Sequence, residues 1–215
     1  MCEIIDALKS AGINYIFHSS RVTNIGKIAD SGVIISAATL GRITPGSRKD
    51  IRSGGGAYVY FRYVQNVCAT KFNSFGTRCS LDNNIHFVMP VEKLADYNWF
   101  ISSIDLNGKL PKGVGSGVID MPSDKKIGVI NSIQNYPNDK NGEMGIHDCV
   151  QLCDFSHIVL SAKNYRKYKK DYLSLISSAN DMKKCAGETS RLKVVIGSNS
   201  EISSVRLANS SGIIQ

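Results

Sequence analysis

Along CEIIDALKS the apolar positions Ile4, Ile5 and Leu8 recur at helical spacing, and Gly12 follows as a stop signal, which predicts a helix over Cys2 to Ser10. Ile13 to His18, INYIFH, is rich in β-branched and aromatic residues and predicts a buried strand that ends at His18 in polar text. From Thr23, TNIGKIADSG combines a polar N-cap, Ile25, Ile28 and Ala29 on one helical face, and Gly32 at the C-cap, so a short helix is expected. Val33 to Ile35 then resumes extended character.

Gly41 to Gly56 is crowded with Gly, Ser, Pro and basic residues and reads as a loop carrying Arg42, Arg48, Lys49 and Arg52. Ala57 to Val64, AYVYFRYV, is the strongest strand pattern in the chain, and Gly54 to Gly56 just before it allow close backbone approach. Ile85 to Met89 predicts a further strand. Val91 to Ile101 places Leu94, Tyr97 and Ile101 at helix-like intervals. Leu106 to Asn141 is expected to form long loops around a single strand at Ile127 to Ile133. Gly145 to Leu152 and Ser156 to Ser161 read as strands. Tyr165 to Ser178 reads as a basic-fronted helix with Tyr168, Tyr172, Leu175 and Ile176 inward, and Leu192 to Ile196 as a late strand. No internal repeat is visible.

The elements mix helices and strands, and 215 residues with 42% hydrophobic and 20% charged composition suit one globular domain over 1–215, with 199–215 as a flexible tail. No apolar run approaches the roughly 20 residues that span a bilayer. No basic-then-apolar leader opens the chain, so a soluble, cytoplasmic protein is expected, in a producing or a target cell. The six cysteines are irregularly spaced and read as free thiols. Cys149 and Cys153 near His147 and His157 raise zinc, but no second cysteine pair accompanies them, and no metal is expected. The 26 basic against 18 acidic residues give a net charge of +8, which favours a polyanionic partner or serves solubility alone.

The text YIFHSSRVTNIGKIADSGVI, Tyr15 to Ile34, resembles the opening of DarT-type ADP-ribosyltransferases, in which a strand ending in His-x-Thr or His-x-Ser precedes a helix of the form N-x-x-x-I-x-x-x-G. SGGGAYVYFRYV resembles their second strand, and GIHDCVQLCDFSHIVLS their late strand, turn and strand. At the position of the expected glutamate stands Asp148 or Cys149, depending on a one-residue register. The resemblance implies an α+β, ADP-ribosyltransferase-like fold: two small packed β-sheets with flanking helices and a cleft for NAD, the ADP-ribose donor. It also implies a carboxylate that stabilises an oxocarbenium-like state as nicotinamide departs.

On that reading His18 holds the NAD ribose with Ser19 and Ser20 beside it; a strand-end histidine with a local partner is the plainer alternative. Tyr58 and Tyr60 share a strand face, either beside the nicotinamide or packed in the core. Arg62, on that face too, meets a pyrophosphate or forms a surface ion pair. Asp148 is expected on a strand face among Ile146, Val150 and Leu152, as the catalytic acid or bonded to a turn, and Glu143 is the alternative acid in a preceding loop. A Cys149 nucleophile is the further option, against a small apolar cysteine.

Lys163 to Lys170 interleaves cations with Tyr165 and Tyr168, the composition of a DNA- or RNA-contacting surface or of a solvated helix face. Three functions follow: a transferase effector or toxin that modifies a nucleic acid or protein, a catalytically degenerate binding module, and an unrelated basic RNA-binding protein.

Overall fold

The structure is a computed structural model that describes residues 2–41, 55–63, 65, 81, 83–106, 109–115, 117–135 and 142–197. The basic loop at 42–52, Cys68, Cys79 and the tail from 198 lie outside these residues. The fold is mixed α/β, with a main sheet and a small two-stranded sheet. The helices are α1 (Cys2–Ser10), α2 (Ile25–Ser31), α3 (Ser123–Asn135), α4 (Ala162–Lys167) and α5 (Lys169–Cys185). The strands are β1 (Tyr15–Arg21), β2 (Val33–Ile35), β3 (Tyr58–Tyr63), β4 (Asn84–Pro90), β5 (Trp99–Ser102), β6 (Glu143–His147), β7 (Cys149–Gln151), β8 (His157–Ser161) and β9 (Lys193–Gly197). β2 and β7 form the small sheet.

The chain divides into two compact units, Met1–Ile16 with Ile34–Asn66 and Pro90–Val150, and Phe17–Val33 with Val67–Met89 and Gln151–Gln215. In the first unit β5, β6 and β3 run antiparallel, and Gly145 of β6 lies in register with both Phe100 and Tyr60. The Phe100 ring occupies the space where a Cβ on residue 145 would stand, so the strand reads Met-Gly-Ile at this point because only glycine lets that ring lie down on β6. The other face carries Val59, Phe61, Trp99, Ile101, Met144 and Ile146, all buried, and α3 packs against α1 and β5.

Two expectations fail here for the same reason. The apolar island at Ile127 to Ile133 is not a strand but part of α3, where Lys126, Ile130 and Ile133 are the buried positions. A short apolar run fits either period, and tertiary burial chose 3.6. Conversely, Val91 to Ile101 is not one helix: a 3-10 turn at Val91–Asp96 gives way to β5, whose Trp99, Phe100 and Ile101 are all buried beside β6.

In the second unit β4 pairs antiparallel with β8, and β8 pairs parallel with β9. A parallel pair requires a crossover, and α4 and α5 supply it. α5 buries Tyr172, Leu175, Ile176 and Ala179, of which Leu175 and Ile176 each contribute roughly 1.5–3 kcal/mol. Its neighbour is α2, tied by the Ser178 hydroxyl to the Ala29 carbonyl at 2.9 Å. β1 extends to Arg21, so His18 stands in mid-strand rather than at a strand end. The strand expected from Gly145 to Leu152 is interrupted at Asp148, the one non-glycine residue with positive φ among the described residues.

Candidate functional site

The residues named from the sequence fall into two sets, one in each unit. In the second unit, alternation along β1 sends His18 and Ser20 to one face and Ser19 to the other. Ser19 Oγ lies 2.6 Å from Nδ1 of His86, a histidine of β4 that is 1% exposed. His18 and Ser20 are half-buried. Asn24, which stands at the N-cap of α2, makes no side-chain cap bond; its amide donates instead to Ser20 Oγ at 3.3 Å.

Downstream, Ile28 is buried and Gly32 ends α2 at φ 70°, its N–H bonded to the Ile28 carbonyl and its own carbonyl accepting from Leu152 N at 2.8 Å. A side chain at residue 32 would meet both the left-handed backbone and the Met182 sulfur. The Asn, Ile and Gly of the motif therefore have distinct tasks: one reaches back to β1, one enters the core and one turns the chain into β2.

In the first unit Tyr58, Tyr60 and Arg62 share a sheet face with their register partners His147, Gly145 and Glu143. Tyr58 is buried, edge-on to Phe100 at 5.0 Å and to His147 at 5.3 Å, with its hydroxyl donating to the Ile119 carbonyl at 3.1 Å. Burial, and then the charge of Asp120, push its phenol up. Tyr60 meets Phe100 at 6.1 Å. Of the two roles weighed for these rings, packing is the one in view. Arg62 pairs with Asp105 at 3.0 Å, the ion pair anticipated as its plainer role.

The two candidate acids exchange environments relative to expectation. Glu143 is not in a solvated loop: it opens β6, is buried, and accepts from Leu106 N at 3.1 Å. Asp148 is not among apolar neighbours on a strand: it is exposed, between β6 and β7, at φ 68°. Aspartate tolerates this conformation better than most residues, and here both its backbone polar groups are used, N–H to Ala57 O at 2.8 Å and carbonyl from Ser36 N at 2.7 Å. Thr39 Oγ1 donates to Asp148 Oδ1 at 2.5 Å. The outcome is an exposed carboxylate with one oxygen bonded to a hydroxyl, on a residue whose backbone N–H and carbonyl are both bonded.

Cys149 opens β7, and burial followed by the Asp148 charge push its thiol up, away from nucleophilic thiolate at neutral pH. Among the described residues no group of three or more His, Cys, Asp or Glu converges as a metal site. His157 is buried with Nδ1 2.8 Å from Ser156 Oγ, and burial, then the Lys193 charge, lower its pKa to about 4. No helix of the described residues is long and apolar enough to cross a membrane.

Sequence reasoning missed Thr39, His86 and Asp105. Thr39 and Asp148 are 109 positions apart, and Ser19 and His86 are 67 apart, so no local spacing marks either pair.

No protein-family model and no curated protein matches the chain. Among solved structures it is similar to DarT of Thermus sp. 2.9 in complex with ADP-ribosylated ssDNA, at 12% identity over 83% of this chain and 92% of that one, TM-score 0.49. The same protein in complex with NAD+ gives 12% identity over 84% and 94%, TM-score 0.48. Thermosipho africanus DarTG in complex with ADP-ribose gives 11% identity over 85% of this chain and 50% of that one, TM-score 0.44.

Proposed function

We propose that the chain is an NAD-dependent ADP-ribosyltransferase, a glycosyl-transfer enzyme of toxin or effector type that modifies a nucleic acid or protein reached through a basic surface in the cytoplasm. The observation that carries this reading is the β1–α2 segment. Its Asn24–Ser20 bond, buried Ile28 and left-handed Gly32 give the motif's residues separate structural tasks, and His18 and Ser20 remain on one face of β1.

When bound, NAD supplies an activated glycosidic bond whose nicotinamide leaves with the bonding electrons. The task of the protein is to hold the ribose and to place a negative charge beside the developing cation. In this reading His18 and Ser20 hold the ribose, and Asp148, exposed and fixed by Thr39, provides the charge. Glu143, buried and engaged by Leu106 N, is the second candidate acid. Within the second unit Ser19 is held by His86, and within the first Tyr58 and Tyr60 pack on Phe100 and Arg62 pairs with Asp105; the cofactor-binding roles the sequence assigns to them remain part of the proposal.

A degenerate binding module is the second reading, favoured by the turn that Asp148 joins through Thr39. Incubation of the purified chain with labelled NAD, DNA, RNA and cell lysate, following label transfer and nicotinamide release, separates the two. Transfer lost in Asp148→Ala or in Glu143→Ala alone identifies the acid. NAD binding without release selects the module. Absence of binding, or full activity in His18→Ala, sinks the transferase reading.

A further inference from the structure

Glu143 opens β6 between two strands, and its register partners are Arg62 on β3 and Ser102 on β5. An arginine directly opposite a glutamate on one sheet face has its Cβ about 5 Å from the other, the geometry of a cross-strand ion pair. The guanidinium of Arg62 is directed elsewhere. Its Nη2 donates to Asp105 Oδ2 at 3.0 Å, 43 positions along the chain, while Glu143 Oε2 accepts from the main-chain N–H of Leu106 at 3.1 Å.

Asp105 and Leu106 belong to the segment 103–106, which follows β5 and bonds back to β3 and β6. Its root is fixed. Ile104 N donates to Ser102 Oγ at 3.2 Å, and the Ser102 carbonyl accepts from the Tyr63 hydroxyl at 2.8 Å. The Tyr63 ring fills the space where a Cβ on residue 142 would stand, so glycine precedes Glu143. At the far end Lys109 N donates to the Leu106 carbonyl at 3.1 Å. Glu143 is buried, whereas the side chains of Arg62 and Asp105 are 28% and 26% exposed.

On its sheet face Glu143 is met by Arg62 and, diagonally, Tyr60 from β3, and by Ser102 from β5, with Asp105 beyond Arg62. Ionised, Glu143, Arg62 and Asp105 carry one net negative charge between them; without Asp105 the remaining pair is neutral. An arginine paired with the acid would keep it ionised yet cancel the field it directs at a developing cation. We propose that Asp105 is a positioning residue: it draws Arg62 off its strand partner, so that Arg62 does not cancel the charge of Glu143. This inference rests on the transferase reading with Glu143 as its acid.

The test reads the charge first and turnover second. The full chain, with glutamate isotope-labelled at the side-chain carboxyl, is titrated by NMR as wild type, Asp105→Asn, Arg62→Gln and the double variant. The signal lost in Glu143→Gln assigns the resonance. With Asp105 present, Arg62→Gln is expected to raise the Glu143 pKa by less than about 0.5; in the Asp105→Asn background the same change should raise it by about 1–3, the range for an opposite charge close by. Equal effects in the two backgrounds overturn the proposal. Asp105→Asn keeps the shape of a half-exposed side chain and is expected to fold; Asp105→Ser repeats the cycle if it does not.

Nicotinamide release from NAD is measured on the same samples. Asp105→Asn should lower kcat about tenfold or more with KM for NAD within about twofold. Wild-type kcat in Asp105→Asn removes Asp105 from the reaction and overturns the positioning role. No release from wild type, with the two backgrounds still different in the titration, removes the transferase reading and supports Asp105 as the residue that holds Arg62 off Glu143.

Discussion

Thr39 Oγ1 stands 2.5 Å from Asp148 Oδ1, and Thr39 in turn is 2.9 Å from Ser36 Oγ. Thr39 donates its one hydroxyl proton to Asp148, so in the Ser36–Thr39 bond Ser36 is the donor. Ser36 Oγ also accepts from Thr39 N at 3.3 Å, closing the turn on itself. The relay aims the carboxylate rather than stabilising a core. Thr39→Val should therefore lower NAD turnover about 10- to 100-fold with KM for NAD and thermal stability little changed, and Thr39→Ser should restore it. Equal turnover in Thr39→Val and wild type would remove Asp148 from the proposed catalytic role.

Ser19 is turned to His86 while His18 and Ser20 face the other way. Loss of its hydroxyl leaves a buried imidazole nitrogen without that partner. Ser19→Ala is expected to destabilise the fold by about 1–3 kcal/mol in urea unfolding while NAD affinity stays within about twofold. Ser20→Ala should do the reverse, and NAD titration of both variants by calorimetry checks the contrast.

His157 titrates at about 4 in the folded chain, below the ordinary 6.5. The unfolded chain therefore binds more protons between those values, and stability, complete above pH 6.5, falls as pH drops towards 4. Lowering to about 4 corresponds to about 3 kcal/mol at the acid end. Denaturant midpoints at pH 7, 5.5 and 4 should decline, and His157→Gln should flatten that segment of the curve. An unchanged slope in the variant would assign the acid sensitivity to other groups.

Gly145 lies under the Phe100 ring. Gly145→Ala should destabilise the first unit by about 1–3 kcal/mol through overpacking. In Phe100→Leu the added methyl should cost less, and a double-mutant cycle that showed simple additivity would refute the contact as the cause.

Local chemistry determined much of this protein in advance. α1, α2 with its Gly32 stop, β3 and the late β8 and β9 are legible in the sequence because capping residues, β-branched runs and helical spacing act within a few positions. The motif around His18 is likewise local, and so is the stripe of cations at 163–170. The sequence could not distinguish helix from strand at Ile127 to Ile133, nor see β5 inside Val91 to Ile101, because each short apolar run fits both periods until a neighbouring surface buries it.

Tertiary structure alone decided the surroundings of the candidate residues. It placed Asp148 in an exposed left-handed kink beside Thr39, buried Glu143 at the head of β6, turned Ser19 to His86, and packed Tyr58 against Phe100 and His147. The physical reason is the same in each case. The environment of a carboxylate or hydroxyl is set by groups tens of residues away in the chain, and no pattern within one segment encodes which partner will stand beside it.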